Sequence, residues 1–272
     1  MENTEQEYYR YISEKVILIT SEAAAYIEQE RLHFSMDKVE TKNRNDFVSY
    51  VDKEAEIYLV EKLSEIIPGS GFITEEGTTK QMDSEEYCWI IDPLDGTSNF
   101  IHGSTPYAIS VALTYKKELV LGVIHEITRK ESFYAWKGSK AYLNGNEIKV
   151  SSVEKVADAL IATGRPHNYM NNYPQLLGLM DFFLKNTHGI RQSGSAATDL
   201  AYVACGRYDG RYESGLKPWD MAAGVFIIQQ AGGCVCDFEG NDKYLETGSL
   251  VVSNHFIFNE LKTRIKVLCN TL

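Results

Sequence analysis

Trp89-Ile90-Ile91-Asp92-Pro93-Leu94-Asp95-Gly96-Thr97-Ser98-Asn99-Phe100 decides how this chain is read. The apolar run Trp89-Ile90-Ile91 has the length of a short buried strand, and two aspartates, Asp92 and Asp95, follow it. Pro93 fixes its own φ and drives Asp92 toward an extended backbone, as at a strand end. Gly96 permits a close approach of the backbone, and the amides after it can point at an anion. Two carboxylates delivered to one point suit a hard cation such as Mg²⁺, which takes oxygen ligands and often shares them with phosphate. Asp-Pro and Asp-Gly are also ordinary turn signals, so the stretch alone leaves a purely structural turn open. Read as a functional motif, it implies metal-assisted chemistry on a phosphate ester.

Outward from this motif, the N-terminal half (about 1–150) reads as two helices against a mostly antiparallel sheet. The spacing of Tyr11, Ile12, Ile19, Ala23 and Ile27 predicts a helix over 8–31. A charged stretch, 38–45, reads as a mobile loop. A second helix is expected over 53–67, with Asp52 able to cap it and Pro68-Gly69 stopping it. Strands are expected at 71–74, 87–91, 108–115, 119–125 and 132–136, with a hairpin at Asn144-Gly145. The C-terminal half (about 151–272) alternates: strands at 160–163, 189–192, 208–213, 235–237 and 250–253, helices at 173–185, 196–204, 221–231 and 256–268. That is an α/β pattern with helices on both faces of a sheet, and the two halves are expected to form one domain, 1–272.

The 272 residues are 44% hydrophobic and 24% charged, ample for a globular core. A formal charge of −11 disfavours broad electrostatic binding to nucleic acid or to anionic membranes. An acidic chain that handles phosphate needs local positive charge, which bound cations would supply. The five cysteines, odd in number and irregular in spacing, read as reduced thiols in a cytoplasmic protein. The polar start Met1-Glu2-Asn3-Thr4-Glu5 lacks the features of a secretory signal. No apolar run approaches the ~20 residues that span a bilayer.

Two distant segments accompany the central motif: Thr74-Glu75-Glu76-Gly77 upstream and Lys217-Pro218-Trp219-Asp220-Met221-Ala222-Ala223-Gly224 downstream. Together the three resemble the inositol monophosphatase family, within the wider superfamily of Mg²⁺-dependent, lithium-sensitive phosphatases. The resemblance runs from about Asp46 to about Gly233. It implies a layered α-β-α-β-α sandwich with the site in the cleft between the halves, two to three Mg²⁺ ions, inhibition by Li⁺, and a homodimer. It also implies that Asp92 bridges two ions, with Glu75 and the backbone carbonyl of Leu94 on the first and Asp95 and Asp220 on the second. Glu75 would hold a third ion and share with Thr97 the proton of the attacking water, with no covalent enzyme intermediate.

Each assignment has a plainer alternative. Glu75 and Glu76 also fit a solvated pair, Asp220 a helix N-cap, and Thr97 a helix start, though the ligand reading is preferred for Glu75 and Asp220 and the water contact for Thr97. Phosphate is expected against the amides of Gly96 and Thr97, at the start of a helix that the resemblance places there. Gly194-Ser195-Ala196 resembles the family's turn that contacts substrate hydroxyls, or is a plain helix start capped by Ser195. Glu213 resembles the acid that accepts from a sugar-like ring, or is a surface strand-end glutamate. Lys42 and Asp46 match loop residues that approach the metal waters, or are solvated charges; Asp52 is read mainly as a cap.

Ser98 after the motif resembles the monophosphatase branch, where the nucleotide bisphosphate branch usually carries lysine. Inositol 1-phosphate is therefore the expected substrate. Arg165 departs from the family pattern and keeps a fructose 1,6-bisphosphatase or 3′,5′-bisphosphate nucleotidase in view. A further alternative is a scaffold that binds the transcription machinery, since bacterial relatives do so. The intact set Glu75, Asp92, Asp95 and Asp220 favours an enzyme, and no basic, aromatic-interleaved tract supports direct nucleic-acid binding.

Overall fold

The computed structural model describes residues 2–35, 39–43, 46–82, 86–164 and 173–271. Helix α1 (Glu2–Leu32) leads into a hairpin of β1 (Val39–Asn43) and β2 (Asp46–Ser49), then helix α2 (Tyr50–Ile66). Next come β3 (Gly71–Thr74), β4 (Tyr87–Asp95), the short helix α3 (Thr97–His102), β5 (Ala108–Tyr115), β6 (Glu118–Glu126), β7 (Glu131–Trp136), β8 (Ala141–Leu143) and β9 (Asn146–Ile148). The remainder is β10 (Leu160–Thr163), α4 (Tyr173–Asn186), β11 (Gly189–Arg191), α5 (Ala196–Ala204), β12 (Gly210–Ser214), α6 (Pro218–Gln230), β13 (Cys234–Cys236), α7 (Tyr244–Thr247), β14 (Ser249–Ser253) and α8 (Phe258–Thr271).

Seven strands form one sheet in the order β3-β4-β5-β6-β7-β8-β9, antiparallel except for the parallel pair β3 and β4. Five form a second, β11-β10-β12-β14-β13, with β10 parallel to both its neighbours. The two-residue period of a strand decides what covers each face of the larger sheet. Trp89, Ile91, Ile109, Val111 and Leu113 point into a core with α1 and α2. Ile90, Ala108 and Ala112 point the other way, into a core built from α5, α6 and the inner face of the smaller sheet. The outer face of that sheet, with Ile161, Tyr212 and Val251, packs on α4 and α8. The result is a mixed α/β fold of five layers, α-β-α-β-α, with α6 at its centre.

The middle layer is thin where it must be. Gly122 on β6 faces Ala223 of α6, and a Cβ there would come within 2.6 Å of the Ala223 carbonyl oxygen. Residues 221–228 of α6 are buried all round, the signature of a helix held between two apolar surfaces.

The elements fall close to the expected positions, although α1 begins six and α6 three residues before the expected start, and three further differences stand out. The stretch read as a loop at 38–45 contributes a strand, β1, paired antiparallel with β2; its alternation is hidden because both strands are short and polar. Helix α2 starts earlier, with Ser49 as its N-cap, and Asp52 closes a capping box from the third helical position. Helix α7 is a single turn that no apolar periodicity announces.

Candidate active site

β4 lies one strand in from the edge of the larger sheet and carries both aspartates of the motif at its C-terminal end. Residues three apart on a regular strand face opposite sides. Here the pairing with β5 slips: Asp92 sits opposite Ser110, and Asp95 opposite Ala108. The extra residue, in a segment that contains Pro93 with no N–H to give, forms a bulge that returns both carboxylates to the α6 face. The parallel register of β3, Thr74 beside Ile91, then sets Glu75 next to Asp92, and the Glu75 amide donates to the Ile91 carbonyl at 3.2 Å. Asp220 arrives from the opposite layer. It is the third residue of α6, after Pro218 at the first position, and its Oδ2 accepts from the Lys217 amide at 2.6 Å. It is therefore not the N-cap but the acid that closes the first turn from within. The Ser110 hydroxyl donates to the Trp219 carbonyl at 3.1 Å and ties that turn to β5.

These four acids feel one another. Burial, then the charges of Glu75, Asp95 and Asp220, push the Asp92 carboxyl well above the usual range, and Glu75 reaches hydrogen-bonding contact with it. Burial likewise raises Asp220 to about 7, with the charges of Asp95 and Glu213 adding to it. Burial raises Asp95 too, against its hydrogen bonds: Asp95 Oδ2 accepts from the Ser195 hydroxyl at 2.5 Å and the Ala197 amide at 2.7 Å. Among the described residues, no three acidic, imidazole or thiol side chains are already drawn into an arrangement ready to hold an ion. Three of the acids lean on donors of their own: Asp92 Oδ1 on the Leu94 amide at 3.0 Å, Asp95 on Ser195, and Asp220 on Lys217.

Gly96 is the N-cap of α3 and sits at φ +96°, a conformation L side chains rarely adopt. A Cβ there would lie 3.1 Å from the Pro106 carbonyl oxygen and 3.2 Å from that of Gly194. The turn after β4 is thereby pressed against the turn before α5. Thr97 Oγ1 lies 2.9 Å from Asp52 Oδ1 and 3.0 Å from the Leu94 carbonyl oxygen, so its one proton is shared between two acceptors. Asp52, buried, holds its own place through the Ser49 amide at 2.9 Å and hydroxyl at 2.6 Å. It is both a helix-capping acid and the partner of Thr97.

On the far side of the cleft, Ser195 caps α5 by accepting from the Thr198 amide at 3.2 Å while it donates to Asp95. Asn99 bridges the two halves, donating to the carbonyls of Pro106 at 2.7 Å and Ser193 at 2.8 Å. Glu213 is no surface residue: it is buried on β12 and ion-paired with the buried Arg211. Lys42 lies on β1 and Asp46 on β2, but their side chains, like all of Arg165, fall outside the described part of the structure.

A model of the inositol monophosphatase family matches residues 10–269. The chain belongs to the inositol monophosphatase family. It is 42% identical over 232 residues to the Nus factor SuhB of Pseudomonas aeruginosa, covering 84% of this chain and 86% of that protein. It is 41% identical over 229 residues to the inositol-1-monophosphatase of Rhizobium meliloti, again covering 84% and 86%. Among solved structures, an inositol monophosphatase from Anabaena superposes with a TM-score of 0.84 at 29% identity, covering 95% of this chain and 96% of that one.

As a member of the inositol monophosphatase family, the chain has a donor set that suits a hard divalent cation. Asp92 feels the charges of Glu75, Asp95 and Asp220, and these donors are all oxygen and none soft. Their mutual repulsion is what a cation would relieve. Two residues central to this cluster are absent from the motif reading. Glu56, on α2 and fully buried, accepts from Thr74 Oγ1 at 2.9 Å and from the Glu76 amide, the Thr78 amide and the Thr78 hydroxyl, each at 2.7 Å. It thereby fixes the turn that presents Glu75. Arg211 joins Asp199 to Glu213. Both lie outside the three motifs; the one sequence signal is a charge placed on an otherwise buried face.

Proposed function

We propose that the chain is a Mg²⁺-dependent phosphomonoesterase that hydrolyses a small phosphorylated polyol, with inositol 1-phosphate as the leading candidate. The observation that carries this reading is the meeting of Glu75, Asp92, Asp95 and Asp220 from three separate segments beside the Gly96-Thr97 turn. Glu75, Asp92, the Leu94 carbonyl, Asp95 and Asp220 would hold the metal. Bound Mg²⁺ would supply charge neutralisation at the phosphoryl oxygens and a more acidic water nucleophile. Glu75 would take up the proton of that water, and the Thr97 hydroxyl, its own proton held by Asp52 and the Leu94 carbonyl, would orient the water by accepting its hydrogen bond. The Gly96 and Thr97 amides receive phosphate oxygens, and Gly194, Ser195, Ala196 and Glu213 receive polyol hydroxyls. Lys42 and Asp46 are assigned to the edge of this site by resemblance alone.

The test is phosphate release from inositol 1-phosphate, with fructose 1,6-bisphosphate and adenosine 3′,5′-bisphosphate alongside. Activity should require Mg²⁺, disappear with a chelator and fall with Li⁺. Asp92→Asn should lower turnover by at least ~10³-fold, the scale of removing one strong electrostatic element. A purified chain inactive on every ester in the presence of Mg²⁺ would refute the reading.

The similarity to proteins named Nus factor SuhB favours a second reading, a role with the transcription machinery. Co-purification of RNA polymerase with the Asp92→Asn variant would support it independently of catalysis. Failure of polymerase to co-purify with either form would remove it.

A further inference from the structure

Arg211 sits on β12 with its side chain 1% exposed and acids around it. Its Nε reaches Asp199 Oδ2 at 3.4 Å, and its Nη2 pairs with Glu213 Oε2. Asp199 in turn accepts from the Ser193 hydroxyl at 2.6 Å, and the Ser193 carbonyl is held by Asn99. One guanidinium therefore connects the acid assigned to polyol hydroxyls with the turn assigned to the same hydroxyls. The third nitrogen, Nη1, is buried with no partner among the described atoms. Buried ion networks are seldom the most stable way to fill a core, so a purely structural reason for this arginine is weak.

A second observation, free of charge effects, comes from Gly164 at the end of β10. A Cβ built there would fall 2.1–2.2 Å from the carboxylate atoms of Glu213. The Glu213 carboxylate is thus confined between a planar fork on one side and bare backbone on the other. The fork fixes orientation as well as position, which a point charge does not.

We propose that Arg211 is the positioning residue for substrate selection: with Gly164 it sets the orientation in which Glu213 accepts polyol hydroxyls. The preference for polyol over aryl phosphates is then set here, apart from the acids assigned to the metal. This rests on the phosphatase reading above.

The experiment compares kcat and KM for inositol 1-phosphate and phenyl phosphate in the wild type and in Arg211→Met, Arg211→Lys and Gly164→Ala. The double variant Asp199→Asn/Arg211→Met removes an uncompensated acid should the single Met variant fold poorly. The ratio of kcat/KM, polyol over aryl, is expected to fall about tenfold in Arg211→Met, the worth of one hydrogen bond to a charged group. The loss should lie mainly in the KM for the polyol ester. Arg211→Lys should recover part of it, and Gly164→Ala, which changes no charge, should reproduce it. Equal losses for both esters, or a Gly164→Ala ratio like that of the wild type, would overturn the proposal. A wild type that hydrolyses phenyl phosphate without favouring the polyol ester would overturn it while leaving the phosphatase reading intact. A wild type active on neither ester would overturn it too, and inactivity on the two bisphosphates as well would bring down the phosphatase reading with it.

Discussion

Glu56 accepts four hydrogen bonds from one five-residue turn, and that turn carries Glu75. Glu56→Gln keeps the volume but turns one acceptor into a donor facing donors. It should cost about 1–3 kcal/mol, the price of unsatisfied buried groups, measured by urea unfolding, and it should raise the Mg²⁺ concentration needed for half-maximal activity. Little change in either would show that the turn holds itself. Thr97 and Asp52 form a separate unit. Thr97→Ala should lower kcat by roughly 10²-fold, the scale of a misplaced reactant, and Thr97→Ser should restore most of it. If Thr97→Ala left kcat unchanged, the hydroxyl would be only a helix-start residue.

At the scale of elements, register and layer spacing place the groups. The β4 bulge turns Asp95 to the side of Asp92, and the Gly122–Ala223 contact brings α6 close enough for Asp220 to join them. Gly122→Ala should destabilise the chain by about 1–3 kcal/mol through overpacking, read as a lower urea midpoint. Across the opposite face, α1 and α2 are laced by three phenol–carboxylate pairs, Tyr58 with Glu22 at 2.5 Å, Tyr26 with Glu54 and Tyr50 with Glu30. Their four-residue spacing on each helix holds the start of α2, where Asp52 and Glu56 lie. β6 contributes a pH-sensitive element. His125 is buried, its Nδ1 2.8 Å from the Ser132 hydroxyl, and burial lowers its pKa from 6.5 to about 4. Below pH 6.5 the unfolded chain binds a proton that the folded chain refuses, so stability is full above 6.5 and declines as pH falls toward 4. The linkage is worth about 3 kcal/mol over that window. His125→Gln should flatten the dependence of unfolding free energy on pH between 4 and 6.5; an unchanged slope would assign acid sensitivity to other groups.

At the scale of the molecule, both sheets depend on the same middle layer. α5 and α6 contribute their apolar surface to the larger sheet on one side and the smaller on the other. Arg207, after α5, also reaches back to Glu131 on β7 with two hydrogen bonds, at 2.5 and 2.7 Å. The halves should therefore unfold together. A fragment of residues 1–150 would expose the sheet face around Ala108 and Ala112, and is expected to be insoluble or to lack a cooperative transition by circular dichroism. A fragment that unfolds cooperatively would show two independent domains. Among the described residues no helix is long and apolar enough to cross a membrane.

The amino-acid order by itself determined the longer helices and most strands, because apolar periodicity and Gly/Pro punctuation are local properties. It also marked Glu75, Asp92, Asp95 and Asp220, since each lies in a short motif whose neighbours constrain the backbone. It did not reveal the β1–β2 hairpin, whose short polar strands lack a clear pattern, or the true start of α2. Only the tertiary structure decided that Asp52 meets Thr97, that Glu56 anchors the Glu75 turn, and that Arg211 clasps Glu213. Those contacts join residues distant in the chain or on different layers. They arise from strand register and from the thickness of the α6 layer, quantities that no local stretch of sequence contains.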